Sequence, residues 1–238
     1  MVGLGIAELV SSRYQDRKRC MGITTVFRGD GNYLLANLSR ECTPEEYPLL
    51  LRTSVQEVLA DIKARNGWRP GDTVRIVCHT SLPMRDHHLD RLIGDCVATV
   101  GDKQPFTMLD PSQPGRSDHR GRTKGALAPE RGTILQISDT QRLLAITGPS
   151  LIKLADAPLP RQLHLRLHRA STFRDLDYLA EQALKFTSLS WRSTLPTARP
   201  VTIHYSELMA DLLARLRAVP DWSPALLNTR LRHSRWFL

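Results

Sequence analysis

Val2-Gly3-Leu4-Gly5-Ile6-Ala7-Glu8-Leu9-Val10 is a short apolar run near the start of the chain and is typical of a buried β-strand. Met21–Phe27 is rich in β-branched residues and predicts a second strand. Turn-forming residues follow at 29–31, a Gly-Asp-Gly cluster, before a third apolar run at 33–38. The chain therefore begins with consecutive strands joined by tight turns, as in the edge of a β-sheet.

Further along, helical and strand patterns alternate. The clearest helix start is Thr43-Pro44-Glu45-Glu46, a capping box with proline at the first helical position. A second capping signature, Thr172–Asp175, predicts another helix. We predict strands at 73–79, 133–137, 143–147, 162–168 and 201–205, and helices at 43–66, 86–93, 172–184 and 208–216. This order predicts an α/β fold, a central mixed β-sheet flanked by helices, and is compatible with a ribonuclease-H-like fold.

Residues 101–132 interrupt this alternation. Proline and glycine recur there without any hydrophobic period, which predicts a long loop. Arg116, Arg120, Arg122 and Lys124 make it basic. We expect a solvated loop, with closure over a nucleic acid as the alternative.

The overall charge points to a polyanionic partner. The chain has 238 residues, 33 Lys+Arg against 24 Asp+Glu, a net charge of +9 and a pI near 9.8. Such a charge favours nucleic acid, although a basic protein without that partner is the alternative. The four cysteines form no CxxC pair, which argues against structural zinc. We see neither a transmembrane run nor a signal peptide and expect a cytoplasmic location.

The last residues, Leu231-Arg232-His233-Ser234-Arg235-Trp236-Phe237-Leu238, are unusually apolar for a terminus. Docking of Trp236 and Phe237 would fix the terminal carboxylate beside two arginines. The alternative is a hydrophobic plug that only closes the core.

The sequence contains no P-loop, no GxSxG elbow and no dinucleotide fingerprint. A two-metal nuclease would need carboxylates that converge at strand ends. The first strand has no acid before Glu8, and the strand at 73–79 has none after it before Asp86. Two of the strand ends that would supply metal ligands therefore lack an acidic residue.

Several segments carry a family likeness. They are Ser171–Leu179, Leu189–Ser193, Pro200–Ser206 and Arg235–Leu238, with the N-terminal strand, the 27–33 hairpin and Arg75–His79 in support. The chain resembles the PIWI domain of a prokaryotic Argonaute, most closely the short, catalytically inactive kind. The resemblance spans essentially the whole chain and implies a ribonuclease-H-like fold and guide-directed recognition of a target nucleic acid.

The resemblance also locates the catalytic positions. Gly5 and Ser81 stand where active relatives have aspartates, and Glu207 falls on the last catalytic position. The mobile glutamate of the family is not assigned among Glu41, Glu45 and Glu46. Since two metal-binding acids are replaced, we predict a domain without slicing activity. The alternative is an active divalent-metal-dependent nuclease that uses Glu8, Asp30 and Glu207.

Binding positions carry over residue by residue. Arg192 matches a position that contacts the guide backbone, with a plain surface arginine as the alternative. His204 and Tyr205 match positions near the guide, although Tyr205 would also suit the core. Leu238 inherits a terminal carboxylate that helps bind the guide 5′ phosphate, in some relatives through a metal ion, which predicts one Mg²⁺. The remaining predicted nucleic-acid-binding residues are Gln182, Lys185, Thr187, Arg232 and Arg235.

We expect residues 1–238 to form one PIWI-like domain, with no MID, PAZ or N domain. The MID domain supplies most of the 5′-phosphate pocket in the family, so a MID-bearing chain or segment is an expected partner. Short relatives also act with an associated effector protein. A structural subunit that docks a protein partner is a further hypothesis, and the sequence does not distinguish RNA from DNA as guide or target.

Overall fold

The computed structural model describes twelve stretches of the chain, namely 2–9, 18–27, 33–36, 41–42, 45–66, 75–80, 86–100, 106–112, 129–147, 162–190, 192–216 and 219–221. The strands in these stretches are β1 (Val2–Leu9), β2 (Lys18–Phe27), β3 (Tyr33–Ala36), β4 (Glu41–Cys42), β5 (Ile76–Thr80), β6 (Phe106–Ser112), β7 (Ile134–Ser138), β8 (Gln141–Ala145) and β9 (Gln162–Leu167). The helices are α1 (Tyr47–Asn66), α2 (Asp86–Val100), α3 (Leu176–Thr187) and α4 (Val201–Leu216).

The chain divides into two compact units. The first comprises Met1–Met108, Ala170–Phe173 and Thr202–Leu238. In it, β1 pairs antiparallel with β2 and parallel with β5, while β2 also pairs antiparallel with β3 and β4. The sheet is therefore mixed, as predicted. Helices α1 and α2 pack together. Each buries side chains at helical spacing, which are Leu51, Val55, Leu59, Leu92, Ile93 and Cys96.

The second unit comprises Leu109–Arg169 and Arg174–Val201. In it, β8 pairs antiparallel with β7 and β9, and β9 pairs antiparallel with the end of β6. Leu163, Leu165 and Leu167 alternate inward from β9 and are buried. Helix α3, which packs on β8, buries Leu179, Ala183 and Phe186 along one face. Its first turn is capped by Asp175, the last residue of the predicted signature, which accepts a hydrogen bond from the Tyr178 backbone N–H at 3.0 Å.

Two predictions about elements are wrong. Residues 201–205 are the first turn and a half of α4, not a strand, and they continue without a break into the predicted final helix. The predicted loop 101–132 contains strand β6, whose Pro111 lies opposite Leu165 of β9. The four arginine and lysine residues that make the loop basic lie outside the described residues.

Two of the cysteines, Cys78 and Cys96, are buried free thiols. Burial raises the pKa of both thiols, that of Cys78 to about 12. They are therefore packing residues and not reactive groups.

Among the described helices, none combines the length and apolar character of a membrane span.

Candidate nucleic-acid interface

The segment that follows α3 presents Arg192 to solvent. Arg192 is exposed, and its backbone N–H donates to Ser190 Oγ at 3.3 Å. The backbone N–H of Leu195 donates in the same way to Ser193 Oγ at 3.0 Å. Such serine turns hold a chain reversal without regular secondary structure. An arginine on a locally ordered turn can offer its planar fork to a phosphate.

The base of this segment is closed by hydrogen bonds between Thr187 and Thr197. The Thr187 carbonyl accepts from the Thr197 backbone N–H at 2.7 Å and from Thr197 Oγ1 at 3.1 Å. Thr197 Oγ1 also lies 2.5 Å from the Arg199 carbonyl, so its single proton is shared between two acceptors. We call residues 188–190 and 192–197 the Arg192 segment. Both of its ends are fixed to the last residue of α3.

An arginine from the turn before β7 contacts the same helix end. Arg131 Nη2 lies 2.5 Å from Ser188 Oγ, 3.2 Å from Thr187 Oγ1 and 3.4 Å from the Leu184 carbonyl. A cation at a helix C-terminus also offsets the partial negative charge of the free carbonyls. Arg131 is not among the residues predicted from the sequence, because these contacts join residues more than fifty positions apart.

The other predicted binding residues of the second unit differ in how accessible their side chains are. Lys185 is exposed and forms an ion pair with Glu181 at 2.6 Å, while Gln182 is half-buried. Thr187 is fully buried, and its hydroxyl donates to the Leu184 carbonyl at 2.6 Å. The side chains of Lys185 and Gln182 are therefore accessible to a ligand. The Thr187 hydroxyl is already hydrogen-bonded at the end of α3.

His204 and Tyr205 lie on α4 in the first unit. The His204 side chain is half-buried, whereas Tyr205 is fully buried, and their ring centroids are 5.8 Å apart. Tyr205 is thus placed as a core residue. The three predicted 5′-phosphate residues, Arg232, Arg235 and Leu238, lie outside the described residues.

Near these residues, α4 makes close polar contacts with β1 and β5. Ser206 Oγ lies 3.0 Å from the Gly3 carbonyl and 2.7 Å from the Thr202 carbonyl. Thr202 Oγ1 is 2.7 Å from Nδ1 of His79, and both side chains are fully buried. Burial lowers the pKa of His79 to about 3, so the imidazole is neutral at pH 7. This buried network fixes the first turn of α4 against two strands.

Some of the positions that the family resemblance assigns to catalytic acids are close in sequence to these contacts. Gly5 stands opposite Gly22 in the pairing of β1 with β2, and Glu8 stands opposite Arg19. Glu207, which follows Ser206, is half-buried on α4. Ser81 and Asp30 lie outside the described residues.

Other acids bear on metal binding. Of the three candidates for the mobile glutamate, Glu45 and Glu46 are exposed before α1, while Glu41 is in β4. Within the described part of the chain, no group of three or more His, Cys, Asp or Glu side chains could hold a metal ion. The predicted Mg²⁺ position at Leu238 lies outside the described residues.

The sequence of the chain is similar to that of a known protein. No protein-family model matches the chain. The chain is 50% identical, over an alignment of 253 residues, to an Argonaute protein of Cereibacter sphaeroides (strain ATCC 17025 / ATH 2.4.3). That alignment covers 100% of the chain and 33% of the relative, so the chain spans about one third of that protein's length.

Solved Argonaute structures share the fold at low sequence identity. The structure of Aquifex aeolicus Argonaute has a TM-score of 0.64 at 16% identity and covers 89% of this chain and 28% of its own. Marinitoga piezophila Argonaute, in complex with a 5′ OH guide RNA, gives 0.60 at 9% identity over 93% of this chain and 31% of its own. Clostridium butyricum Argonaute, bound to a guide DNA and a 19-mer target DNA, gives 0.54 at 14% identity over 90% and 27%.

The mixed sheet, its flanking helices and these neighbours define an α/β fold of the ribonuclease-H-like, PIWI class. The expected fold is thereby confirmed. Together with the 50% identity, this shows that the chain is similar over its whole length to about one third of an Argonaute protein.

Proposed function

We propose that this chain is a PIWI-like domain that binds nucleic acid during guide-directed recognition of a target and does not cut that target. The observation that carries the proposal is the relationship to an Argonaute over 100% of the chain at 50% identity. The solved neighbours that hold a guide RNA, or a guide DNA with its target, support the same role. The net charge of +9 and the exposed Arg192 supply the electrostatic attraction and a phosphate ligand.

The lack of slicing is supported by chemistry at two positions. Glycine at position 5 and serine at position 81 cannot supply the carboxylates that hold divalent ions at strand ends. Without both acids the domain loses ion affinity and activation of the attacking water together. Glu207 alone is too small a ligand set for a two-metal site.

The remaining partners follow from the family resemblance. We propose a MID-bearing chain or segment that completes the 5′-phosphate pocket, an associated effector protein, and a role in prokaryotic defence in the cytoplasm. The carboxylate of Leu238, with Arg232 and Arg235, would bind the guide 5′ phosphate. A Mg²⁺ ion there would screen the repulsion between the carboxylate and the phosphate.

The first prediction concerns Arg192. The chain is expected to bind a short 5′-phosphorylated single strand with an affinity that falls as salt rises, because phosphate contacts release counterions. Arg192→Ala is expected to weaken binding by about tenfold and to reduce the salt slope by about one, because one charged phosphate contact is lost. Fluorescence anisotropy over a series of KCl concentrations measures both quantities for RNA and DNA strands.

The matched control is Arg174→Ala. Arg174 is also an exposed arginine of the second unit, and its Nη1 donates to the Arg169 carbonyl at 2.9 Å. Its loss removes the same charge from the protein. Because Arg174 has no predicted phosphate contact, its loss should change the affinity much less than the loss of Arg192. Equal effects of the two substitutions would make Arg192 a plain surface arginine. Binding that does not depend on salt would instead favour a protein-docking subunit.

The second prediction concerns cleavage. Purified protein incubated with guide, target and Mn²⁺ is expected to leave the target intact, as resolved by denaturing electrophoresis. An active Argonaute treated in parallel shows that the conditions permit slicing. Guide-dependent cuts that disappear in Glu207→Gln would establish the alternative nuclease, with Glu8 and Asp30 as the next positions to replace.

A further inference from the structure

The exposed Arg131 contacts three oxygens at one place through a single nitrogen. Nη2 lies within 3.4 Å of the Leu184 carbonyl, Thr187 Oγ1 and Ser188 Oγ. Ser188 is the first residue after α3, and Thr187 is the last residue of the helix. The guanidinium thus contacts the point where the helix ends and the Arg192 segment begins.

The backbone that carries Arg131 is itself held in place. The Gly132 N–H donates to the Ala145 carbonyl at 2.8 Å, and the Ala145 N–H donates to the Thr133 carbonyl at 2.9 Å. Gly132 has a φ of +94°, which favours glycine, and an added Cβ would lie 3.2 Å from Leu184 Cδ2. The turn is therefore fixed to the end of β8 while it lies against α3. It sets the guanidinium where α3 ends.

We infer that Arg131 is a positioning residue for Arg192. Its guanidinium fixes the start of the Arg192 segment at Ser188, and Thr197 fixes the far end on the Thr187 carbonyl. Between these points, the backbone N–H of Arg192 donates to Ser190 Oγ and that of Leu195 donates to Ser193 Oγ. A backbone that is already ordered at Arg192 loses less conformational entropy when the arginine binds a phosphate. This inference rests on the proposed function, because it assigns Arg131 an effect on binding through Arg192.

A double-mutant cycle tests the inference in the full chain, with a fluorescent 5′-phosphorylated oligonucleotide as probe. Arg131→Ala is expected to weaken binding about fivefold, the change that corresponds to one lost hydrogen bond. The salt slope should remain that of the wild type, because no phosphate contact is removed. In the background of Arg192→Ala the same substitution should have almost no further effect, because Arg131 acts through Arg192.

Two other variants separate position from charge. Arg131→Lys keeps the charge, but its ammonium ends one bond short of the position of Nη2 and cannot reach all three oxygens, so it should bind nearly as weakly as Arg131→Ala. Ser188→Ala removes the closest acceptor and should show part of the same loss, which keeps the test valid if Arg131→Ala folds poorly. Thermal unfolding of every variant shows whether it is folded at the temperature of the assay.

The outcomes are distinct. Additive effects of Arg131→Ala and Arg192→Ala, or full binding by Arg131→Lys, would overturn the positioning role while the proposed function stands. A salt slope reduced by about one in Arg131→Ala would make Arg131 a direct phosphate ligand and would also overturn it. If the wild type shows no salt-dependent binding, the proposed function fails and the role of Arg131 in binding fails with it.

Discussion

Gly3→Ala is expected to lower the free energy of unfolding by about 3 kcal/mol or more, the upper range for an overpacked core. An added Cβ at Gly3 would lie 2.0 Å from the carbonyl oxygen of Thr202 and 2.4 Å from its carbonyl carbon. These are backbone atoms of α4, so no rotamer change can relieve the clash. The strand and the helix would have to separate, and the Ser206 hydrogen bond to the Gly3 carbonyl would be lost.

Chemical denaturation of Gly3→Ala and the wild type measures this effect, and Gly94→Ala is the matched control. Gly94 lies within α2, and an added Cβ there meets nothing within 4 Å. Alanine in a helix interior should stabilise the protein by about 1 kcal/mol, because it lowers the entropy of the unfolded chain. The two substitutions thus have opposite expected signs. A Gly3→Ala variant as stable as the wild type would show that α4 does not approach β1 this closely.

The contact at Gly3 also matters for the proposed function. It joins β1, which carries Gly5, to α4, which carries Glu207, and the resemblance places both residues at catalytic positions of active relatives. The contact itself is made by backbone and hydroxyl groups. Gly3→Ala should therefore disturb the packing that holds these two elements together.

Local patterns predicted much of the fold. Leu163, Leu165 and Leu167 alternate with polar residues, and this period of two fixed β9 and its buried face. The hairpin of β7 and β8 was similarly visible, since two apolar runs flank a short polar turn. Such features depend on neighbours in sequence, so they can be read without a structure.

The two wrong predictions have a common physical cause. Val201–Tyr205 is β-branched and apolar, but all of its side chains except that of His204 are buried, so no polar face marks it as a helix. In β6, Pro111 argued against a strand, because proline cannot donate to a neighbouring strand. In both cases tertiary packing overrode the intrinsic preference of the segment.

The candidate site was predicted only in part. Arg192 came from the family resemblance, and the structure adds that Arg192 is exposed and that its backbone N–H is hydrogen-bonded to Ser190 Oγ. Arg131 has no local signature, because its role comes from contacts with residues 53 to 57 positions away. His79 was named only as the last residue of the Arg75–His79 segment, and its partner Thr202 is 123 positions distant. Contacts at such separations are created by the fold.

His79 makes the stability of the first unit depend on pH. Its pKa falls from an unfolded value of 6.5 to about 3 in the fold, mainly because burial disfavours the charged ring. Between these values the unfolded chain binds a proton that the folded chain does not. The stabilisation is therefore complete above pH 6.5 and is lost progressively as the pH falls towards 3. The slope approaches about 1.4 kcal/mol per pH unit within that window.

Denaturation of the wild type and His79→Asn across pH 7 to about 5 tests this, because most carboxylates remain ionised there. Asparagine places a polar atom near Nδ1, so it keeps a partner for Thr202 but does not titrate. The stability difference between the two proteins should shrink by about 2 kcal/mol as the pH falls. If His79→Asn keeps the wild-type slope, His79 is solvated or already protonated, and the buried network between β5 and α4 is not as described.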